Sequence, residues 1–120
     1  MPALKDPSPV VRAAAARAVG VAGDEGATTV LIRRVEQEDD EGVLAELLKA
    51  IGRLGAPQAL NTLAKYAEPG GRLKRRTPHV RAAAIEGLGH IQTPEVRALL
   101  SLYSQDKEPT VQRAAEAALR

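Results

Sequence analysis

The chain has 120 residues, a net charge of +2 at pH 7, and no cysteine, tryptophan or phenylalanine. This length predicts one domain, the lack of cysteine excludes disulfides and thiolate metal sites, and so small a charge does not by itself indicate nucleic-acid binding. No stretch approaches the 18 apolar residues of a membrane helix and no secretory leader is apparent, so we expect a cytoplasmic protein without a membrane partner.

One segment recurs four times along the chain. Its copies are Pro9–Gly20, Glu41–Gly52, Pro78–Gly89 and Pro109–Arg120. One valine in each copy, at positions 11, 43, 80 and 111, fixes the register and gives separations of 32, 37 and 31 residues. Periods of this length are typical of helical hairpins that stack into a solenoid.

The recurring segment predicts the first helix of each hairpin. In the first copy, small and apolar residues have the spacing i, i+3, i+4 and i+7, at Val11, Ala14, Ala15 and Ala18. That spacing places them on one stripe of an α-helix, and the period-two alternation of a strand is absent. A second helix is predicted after a short break at residues 23–26, 55–57 and 92–94.

Several helix boundaries carry recognisable end signals. Ser8, Thr77 and Thr93 each stand directly before a proline. The hydroxyl of such a residue accepts an unpaired backbone N–H, and proline at the first helical position has no N–H to leave unpaired. Gly23 and Gly55 suit the left-handed conformation that ends a helix.

Two stretches carry a family signature. Asp6–Ala15 reads DPSPVVRAAA and Thr77–Ala84 reads TPHVRAAA. They resemble the D-P-x-V-R-x-A-A-A signature of HEAT-like repeats, in the bacterial form named after phycobilisome lyases. With the period, the resemblance implies an all-α fold, a right-handed α-α superhelix (HEAT-like solenoid) of about three and a half helical-hairpin repeats. We expect one domain over 1–120, with repeats at about 6–37, 38–74 and 75–105 and a half-repeat at 106–120.

The signature is not uniform along the chain. Its acidic position is occupied in turn by Asp6, Glu38, Arg75 and Asp106. Its arginine position is occupied in turn by Arg12, Leu44, Arg81 and Gln112. A ladder of acidic and arginine side chains between repeats is therefore predicted to be incomplete, which argues against regular curvature.

The second repeat is five or six residues longer than its neighbours, and the extra residues lie in 68–77, EPGGRLKRRT. Glycines 70 and 71 predict mobility, and the segment is basic through Arg72, Lys74, Arg75 and Arg76. One interpretation is a basic finger for an acidic partner, either a protein or a phosphate backbone. The other is that the acidic loop at 38–42, predicted to lie beside it, neutralises it.

Glu46 departs from its equivalents, which are alanines in the other three copies. It is a candidate partner contact on an otherwise small ridge. The alternative is an ion pair with a neighbouring arginine such as Arg12, Arg17 or Arg81, because an unpaired buried charge is costly.

Tyr66 and Tyr103 occupy equivalent positions in successive second helices. Tyrosines on such a ridge are either protein-contact anchors or packing between neighbouring helices. With Arg81 and Glu46, they complete the predicted partner-binding set.

No motif predicts catalysis, a cofactor or a metal. His79 and His90 are eleven residues apart, whereas two metal ligands on one helix are three or four apart. The acidic stretch 36–46 lacks the spacing of a calcium loop, and its charges suit the start of a helix instead. No serine lies in a nucleophile elbow.

These observations favour a non-catalytic scaffold that binds another protein through its helix ridges and its basic loop. One alternative is binding of a tRNA or DNA backbone by the basic loop and Arg81. The resemblance implies another, a lyase-type enzyme subunit.

The last copy, Pro109–Arg120, has no second helix after it. We expect part of its apolar stripe to remain exposed, at Ala114, Ala115, Ala118 and Leu119. The chain is then either a stand-alone domain or fragment of a longer array, or a molecule whose ends associate.

Overall fold

The computed structural model describes residues 2–73 and 75–120, which form seven α-helices. The helices are α1 (Pro9–Ala22), α2 (Thr28–Gln37), α3 (Glu41–Leu54), α4 (Ala59–Ala67), α5 (Pro78–Leu88), α6 (Pro94–Tyr103) and α7 (Pro109–Leu119). Short 3₁₀ turns at Pro2–Lys5 and Glu25–Ala27 precede α1 and α2. The prediction of an all-α chain of paired helices is confirmed.

The helix ends form for the local reasons that the sequence indicates. The hydroxyl oxygens of Ser8, Thr77 and Thr93 each accept the N–H three residues later, at 3.4, 3.3 and 3.2 Å. Gly23 and Gly55 end α1 and α3 with φ of +75° and +70°. All five predicted caps are therefore confirmed, because they depend on local geometry alone.

The helices are arranged in two layers. In the first layer, α1, α3, α5 and α7 lie side by side, each packed against the next. In the second layer, α2, α4 and α6 each pack mainly on the first-layer helix that follows, which is α3, α5 and α7 respectively. Each repeat therefore completes its core with the next one, as in a solenoid.

The first-layer helices approach so closely that glycine is required at one crossing. A Cβ atom added to Gly52 of α3 would lie 2.2 Å from the Cα of Gly87 in α5. Next to this crossing, aliphatic side chains such as Leu48, Ile51 and Ile85 are completely buried. The core is held by close helix approach and aliphatic packing, in agreement with a sequence without Phe or Trp.

The molecule is a flat slab of 39 × 31 × 19 Å. Its radius of gyration is 13.4 Å, close to the roughly 13.6 Å of a compact domain of this length. The molecule is not elongated as a long solenoid would be. Four helices spaced by about 9 Å give a stack that is little longer than the helices themselves. The accessible surface of 6819 Å² still exceeds the about 6,200 Å² of a compact monomer of this mass, as a flat shape requires.

Candidate functional site

Bidentate ion pairs join consecutive repeats at two of the three junctions. At the first junction, Arg12 of α1 donates from Nε and Nη2 to the two carboxylate oxygens of Glu38, both at 3.0 Å. At the third junction, Arg81 of α5 donates to the two oxygens of Asp106 at 3.3 and 2.7 Å. In both cases, the arginine of one repeat binds the acidic residue that begins the next.

The middle junction lacks this ion pair. Its two equivalent positions hold Leu44 and Arg75, which have no complementary charge. Both residues line a groove of about 500 Å³ that runs between the loop after α2 and the insert after α4. The ladder is incomplete as predicted, and the groove lies at the junction where the pair is missing.

The insert forms a closed turn that is held to the body of the molecule. The backbone N–H of Arg76 donates to the carbonyl of Pro69 at 2.9 Å, and Gly70 and Arg75 form an isolated bridge. The Arg76 guanidinium lies 4.9 Å from the ring centre of Tyr66 and donates to the Glu68 carbonyl at 3.2 Å. These contacts join the base of the insert to the end of α4, and the mobility predicted from its glycines stays a prediction.

We call residues 72–75 the basic tip; the structure describes Arg72, Leu73 and Arg75, and the predicted contact Lys74 lies outside the described residues. All three described side chains are exposed, and Leu73 is 102 % exposed. Sequence reasoning did not single out Leu73. The sequence nevertheless carried a signal, which is an aliphatic residue flanked by four cationic residues in a segment with no predicted helix that would bury it.

The opposite wall of the groove is acidic. Glu36, Asp39 and Glu41 are exposed and line it. Among the described residues, no ion pair within 4.0 Å joins this wall to the arginines of the insert. The two loops lie side by side as predicted, joined by a hydrogen bond of 3.3 Å from Thr77 Oγ1 to Glu41 Oε2, and direct neutralisation by salt bridges is not observed.

Comparison with known families agrees with this architecture. The protein-family model described as HEAT repeats matches residues 1–76 and 70–120. The chain belongs to the HEAT-repeat family. The two matched segments overlap at residues 70–76, so the basic tip lies within both of them. HEAT repeats generally serve as scaffolds for protein interactions. None of the curated proteins compared with this HEAT-repeat chain matches it.

Two residues of the predicted partner-binding set lie inside the HEAT-repeat chain. Arg81 is 3 % exposed and donates from Nε to the carbonyl of Ala67 at 2.7 Å. Its guanidinium lies 5.7 Å from the ring centre of Tyr103, which is 7 % exposed. The assignment of Arg81 and Tyr103 to a partner surface is therefore wrong, because both are enclosed where α4, α5 and the loop after α6 meet.

The surroundings of Arg81 also shift the pKa of two neighbouring groups, Asp106 and Tyr103. The hydrogen bonds from Arg81 lower the pKa of Asp106, because they favour the ionised carboxylate. Burial raises the pKa of the Tyr103 phenol, because a phenolate would lose its hydration. Both shifts follow from a structural role, so neither marks a reactive group.

Glu46 and Tyr66 are partly buried and engaged within the HEAT-repeat chain. Glu46 Oε1 lies 3.5 Å from Arg17 Nη1 and 3.8 Å from Lys49 Nζ. The predicted ion pair with a neighbouring arginine is confirmed, with Arg17 as the partner. Tyr66 lies under Arg76 and supports the insert. Of the predicted set, Arg72 and Arg75 are the described cations that remain open to a partner.

Other kinds of site are not found in the part of the chain that the structure describes. No cluster of three or more histidine, aspartate or glutamate side chains there is arranged to hold a metal ion. No helix there combines the length and the apolar character needed to cross a bilayer.

Proposed function

We propose that this HEAT-repeat chain is a non-catalytic scaffold that binds an acidic segment of another protein at its basic tip. The observation that carries the proposal is a turn fixed at its base by Arg76, Tyr66 and Pro69 that presents Arg72, Leu73 and Arg75 to solvent. A fixed base reduces the conformational entropy that a binding loop loses on association. Insertions in repeat arrays are often part of the binding face.

The residues of the basic tip supply two different contributions to binding. Exposed arginines attract an acidic partner and raise its association rate, with modest net affinity. Burial of the Leu73 side chain against a partner contributes about 1.5–3 kcal/mol. An acidic protein segment that also has an apolar side chain can use both contributions. The arginines then raise the association rate, and the contact with Leu73 slows dissociation.

A nucleic-acid backbone would pair with the arginines of the basic tip, but it fits neither Leu73 nor the acidic wall of the groove. Glu36, Asp39 and Glu41 line the other side of the same groove and would repel phosphates. Leu73 has no role in phosphate binding, and the neighbouring Tyr66 is covered by Arg76 rather than open for base stacking. Binding of mixed RNA or DNA at low salt, weakening steeply as salt rises, would contradict the proposal in favour of this alternative.

Charge reversal at the basic tip tests the proposed function. Arg72→Glu combined with Arg75→Glu is expected to abolish capture of the partner from native cell extract, because both steering charges change sign while the base of the insert is untouched. The matched control is Arg33→Glu with Arg97→Glu, which makes the same change in net charge on the exposed arginines of α2 and α6. Capture is measured by quantitative mass spectrometry of bound proteins. Equal losses in the two variants would contradict a specific role for the tip.

Substitution of Leu73 separates the apolar contribution to binding from the contribution of the arginine charges. Leu73→Ser is expected to weaken binding of the captured partner by about 10- to 100-fold, which corresponds to the apolar area that the side chain loses. The thermal midpoint should not change, because this side chain makes no packing contact to lose. Leu102→Ser is the control, since Leu102 is 63 % exposed on α6, away from the insert. Isothermal titration calorimetry measures the affinity of both variants for the partner. An unchanged affinity of Leu73→Ser would remove the apolar contact from the proposal.

A further inference from the structure

The groove at the middle junction is the open counterpart of a site that is filled at the third junction. There, Arg81 donates to the carbonyl of Ala67 and to the carboxylate of Asp106. Its guanidinium also lies 5.7 Å from the ring centre of Tyr103. The four equivalent positions one repeat earlier are all residues that line the groove, namely Leu44, Val35, Arg75 and Tyr66 in the same order.

Leu44 leaves this space open. Its side chain is shorter than that of arginine and carries no charge, so it cannot donate to a partner across the junction. Val35 corresponds to Ala67, since each lies 24 residues after the valine that fixes the register of its repeat. The carbonyl of Val35, in the last turn of α2, therefore corresponds to the acceptor of Arg81. The fold thus forms a place for a guanidinium that Leu44 does not supply.

The charges around the groove suit an arginine on one side only. Glu36, Asp39 and Glu41 form the acidic wall, which attracts a cation. Arg75, by contrast, occupies the position that Asp106 has at the third junction, and it would repel an arginine that entered alone. A ligand that fits both walls therefore carries a cation next to an anion.

Two residues of the acidic wall are not engaged in holding the fold. Of the acidic residues at 36–41, Glu38 pairs with Arg12, and Asp40 caps α3. The carboxylates of Glu36 and Asp39 form no hydrogen bond or ion pair with the residues that the structure describes. A cation from another molecule can bind them without breaking a contact within the chain.

The acidic wall also selects against other segments. A segment with acidic residues alone could bind Arg72 and Arg75 at the basic tip, but Glu36 and Asp39 would repel it from the groove. Like charges that oppose a wrong partner are a common source of specificity.

We propose that the groove selects a partner segment in which an arginine stands beside an acidic residue. The guanidinium of that segment lies over Leu44 and binds Glu36 and Asp39, while its carboxylate binds Arg75. The partner thereby supplies the arginine and the carboxylate that the other two junctions find within the chain. This inference rests on the proposed function and adds a required cation to the acidic segment.

Selection from a random dodecapeptide library displayed on phage tests the inference. Sequences selected by the wild-type protein are expected to combine acidic residues with an arginine. Selection on Glu36→Gln combined with Asp39→Asn should still enrich acidic residues but no longer enrich arginine. Acidic sequences without enriched arginine from the wild type, or equal arginine enrichment by both proteins, would overturn the inference and leave the proposed function standing. Enrichment of no acidic sequence by the wild type would contradict the proposed function itself.

The affinity of a synthetic peptide chosen by this selection gives a result with a definite sign. Glu36→Gln with Asp39→Asn is expected to weaken its binding by about 3- to 10-fold, since exposed ion pairs each contribute modestly. If the peptide bound only the basic tip, the same change would strengthen binding, because two repelling charges are removed. The matched control is Glu86→Gln with Glu116→Gln, which neutralises two exposed carboxylates outside the groove and should leave the affinity unchanged. Unchanged or tighter binding by the groove variant would overturn the inference.

Replacing the arginine of the peptide with glutamine shows whether it meets the acidic wall directly. The loss of affinity should be several-fold for the wild type and much smaller for Glu36→Gln with Asp39→Asn, because interacting charges are not additive. Equal losses for both proteins would place the arginine elsewhere and overturn the inference. Binding that survives reversal of Arg72 and Arg75 to glutamate would contradict the proposed function instead.

Discussion

Replacing Arg81 with alanine is expected to lower the free energy of unfolding by about 3 kcal/mol, because it leaves a largely buried carboxylate without its partner. Arg81, on α5, connects three segments of the chain. Its Nε–H donates to the last carbonyl of α4, and its two terminal nitrogens donate to the carboxylate of Asp106, which follows α6. Urea unfolding followed by circular dichroism measures the loss. The control Arg97→Ala removes an exposed arginine of α6 and should change stability by no more than about 0.5 kcal/mol.

The same variant has an expected dependence on pH. Because the pKa of Asp106 is lowered in the folded state, its ion pair contributes stability above the ordinary value of 3.8. That contribution is lost as pH falls below this value and the carboxylate becomes protonated. The difference in stability between wild type and Arg81→Ala should therefore shrink in the same acidic range. A difference that stays constant from pH 7 to below 3 would show that the effect of Arg81 is packing rather than its ion pair.

Replacing Gly52 with alanine is expected to destabilise the protein by about 2–3 kcal/mol, even though alanine is favoured over glycine within helices by about 1 kcal/mol. The new methyl group would lie 2.2 Å from the Cα of Gly87, so α3 and α5 must separate. The atom in the way belongs to the backbone and cannot rotate aside. In a domain of this size, the thermal midpoint should fall by roughly 10 °C.

Gly71→Ala is the matched control for this variant. Its new methyl group meets nothing within 4 Å, so the thermal midpoint should stay close to that of the wild type. Gly87→Ala provides a second measurement from the other side of the crossing, where the methyl group would lie 2.8 Å from the Leu48 carbonyl oxygen. A Gly52→Ala protein as stable as the wild type would show that the two helices are not held at this distance.

The two stability predictions concern different ways of joining the repeats. The first and third junctions have a bidentate arginine pair in addition to helix packing. The middle junction has Leu44 and Arg75 in place of that pair, and there α3 and α5 meet at the Gly52–Gly87 crossing instead. The groove and the basic tip thus occupy the junction that lacks the arginine pair and where two glycines meet. The loss of an ion pair and the addition of an insert at one junction give the chain an open charged groove without interrupting the stack.

The sequence alone determined the local features of this protein. Helix pairs, the hydroxyl caps at Ser8, Thr77 and Thr93, and the position of the insert each depend on residues within one or two turns of chain. Repetition added the register between copies, which was sufficient to predict a stack of hairpins. The preference of Glu46 for an arginine partner also followed, because the cost of an unpaired charge is general.

Only the tertiary structure decided which side chains face solvent. Arg81 and Tyr103 resemble surface residues in the sequence, yet both are buried. Arg81 pairs with Asp106, 25 residues further along the chain, and its guanidinium lies near the ring of Tyr103. Leu73 is open because the insert turns at its base. Exposure depends on which distant repeat lies opposite each residue, and a periodic pattern makes equivalent positions look alike whether or not a neighbour covers them.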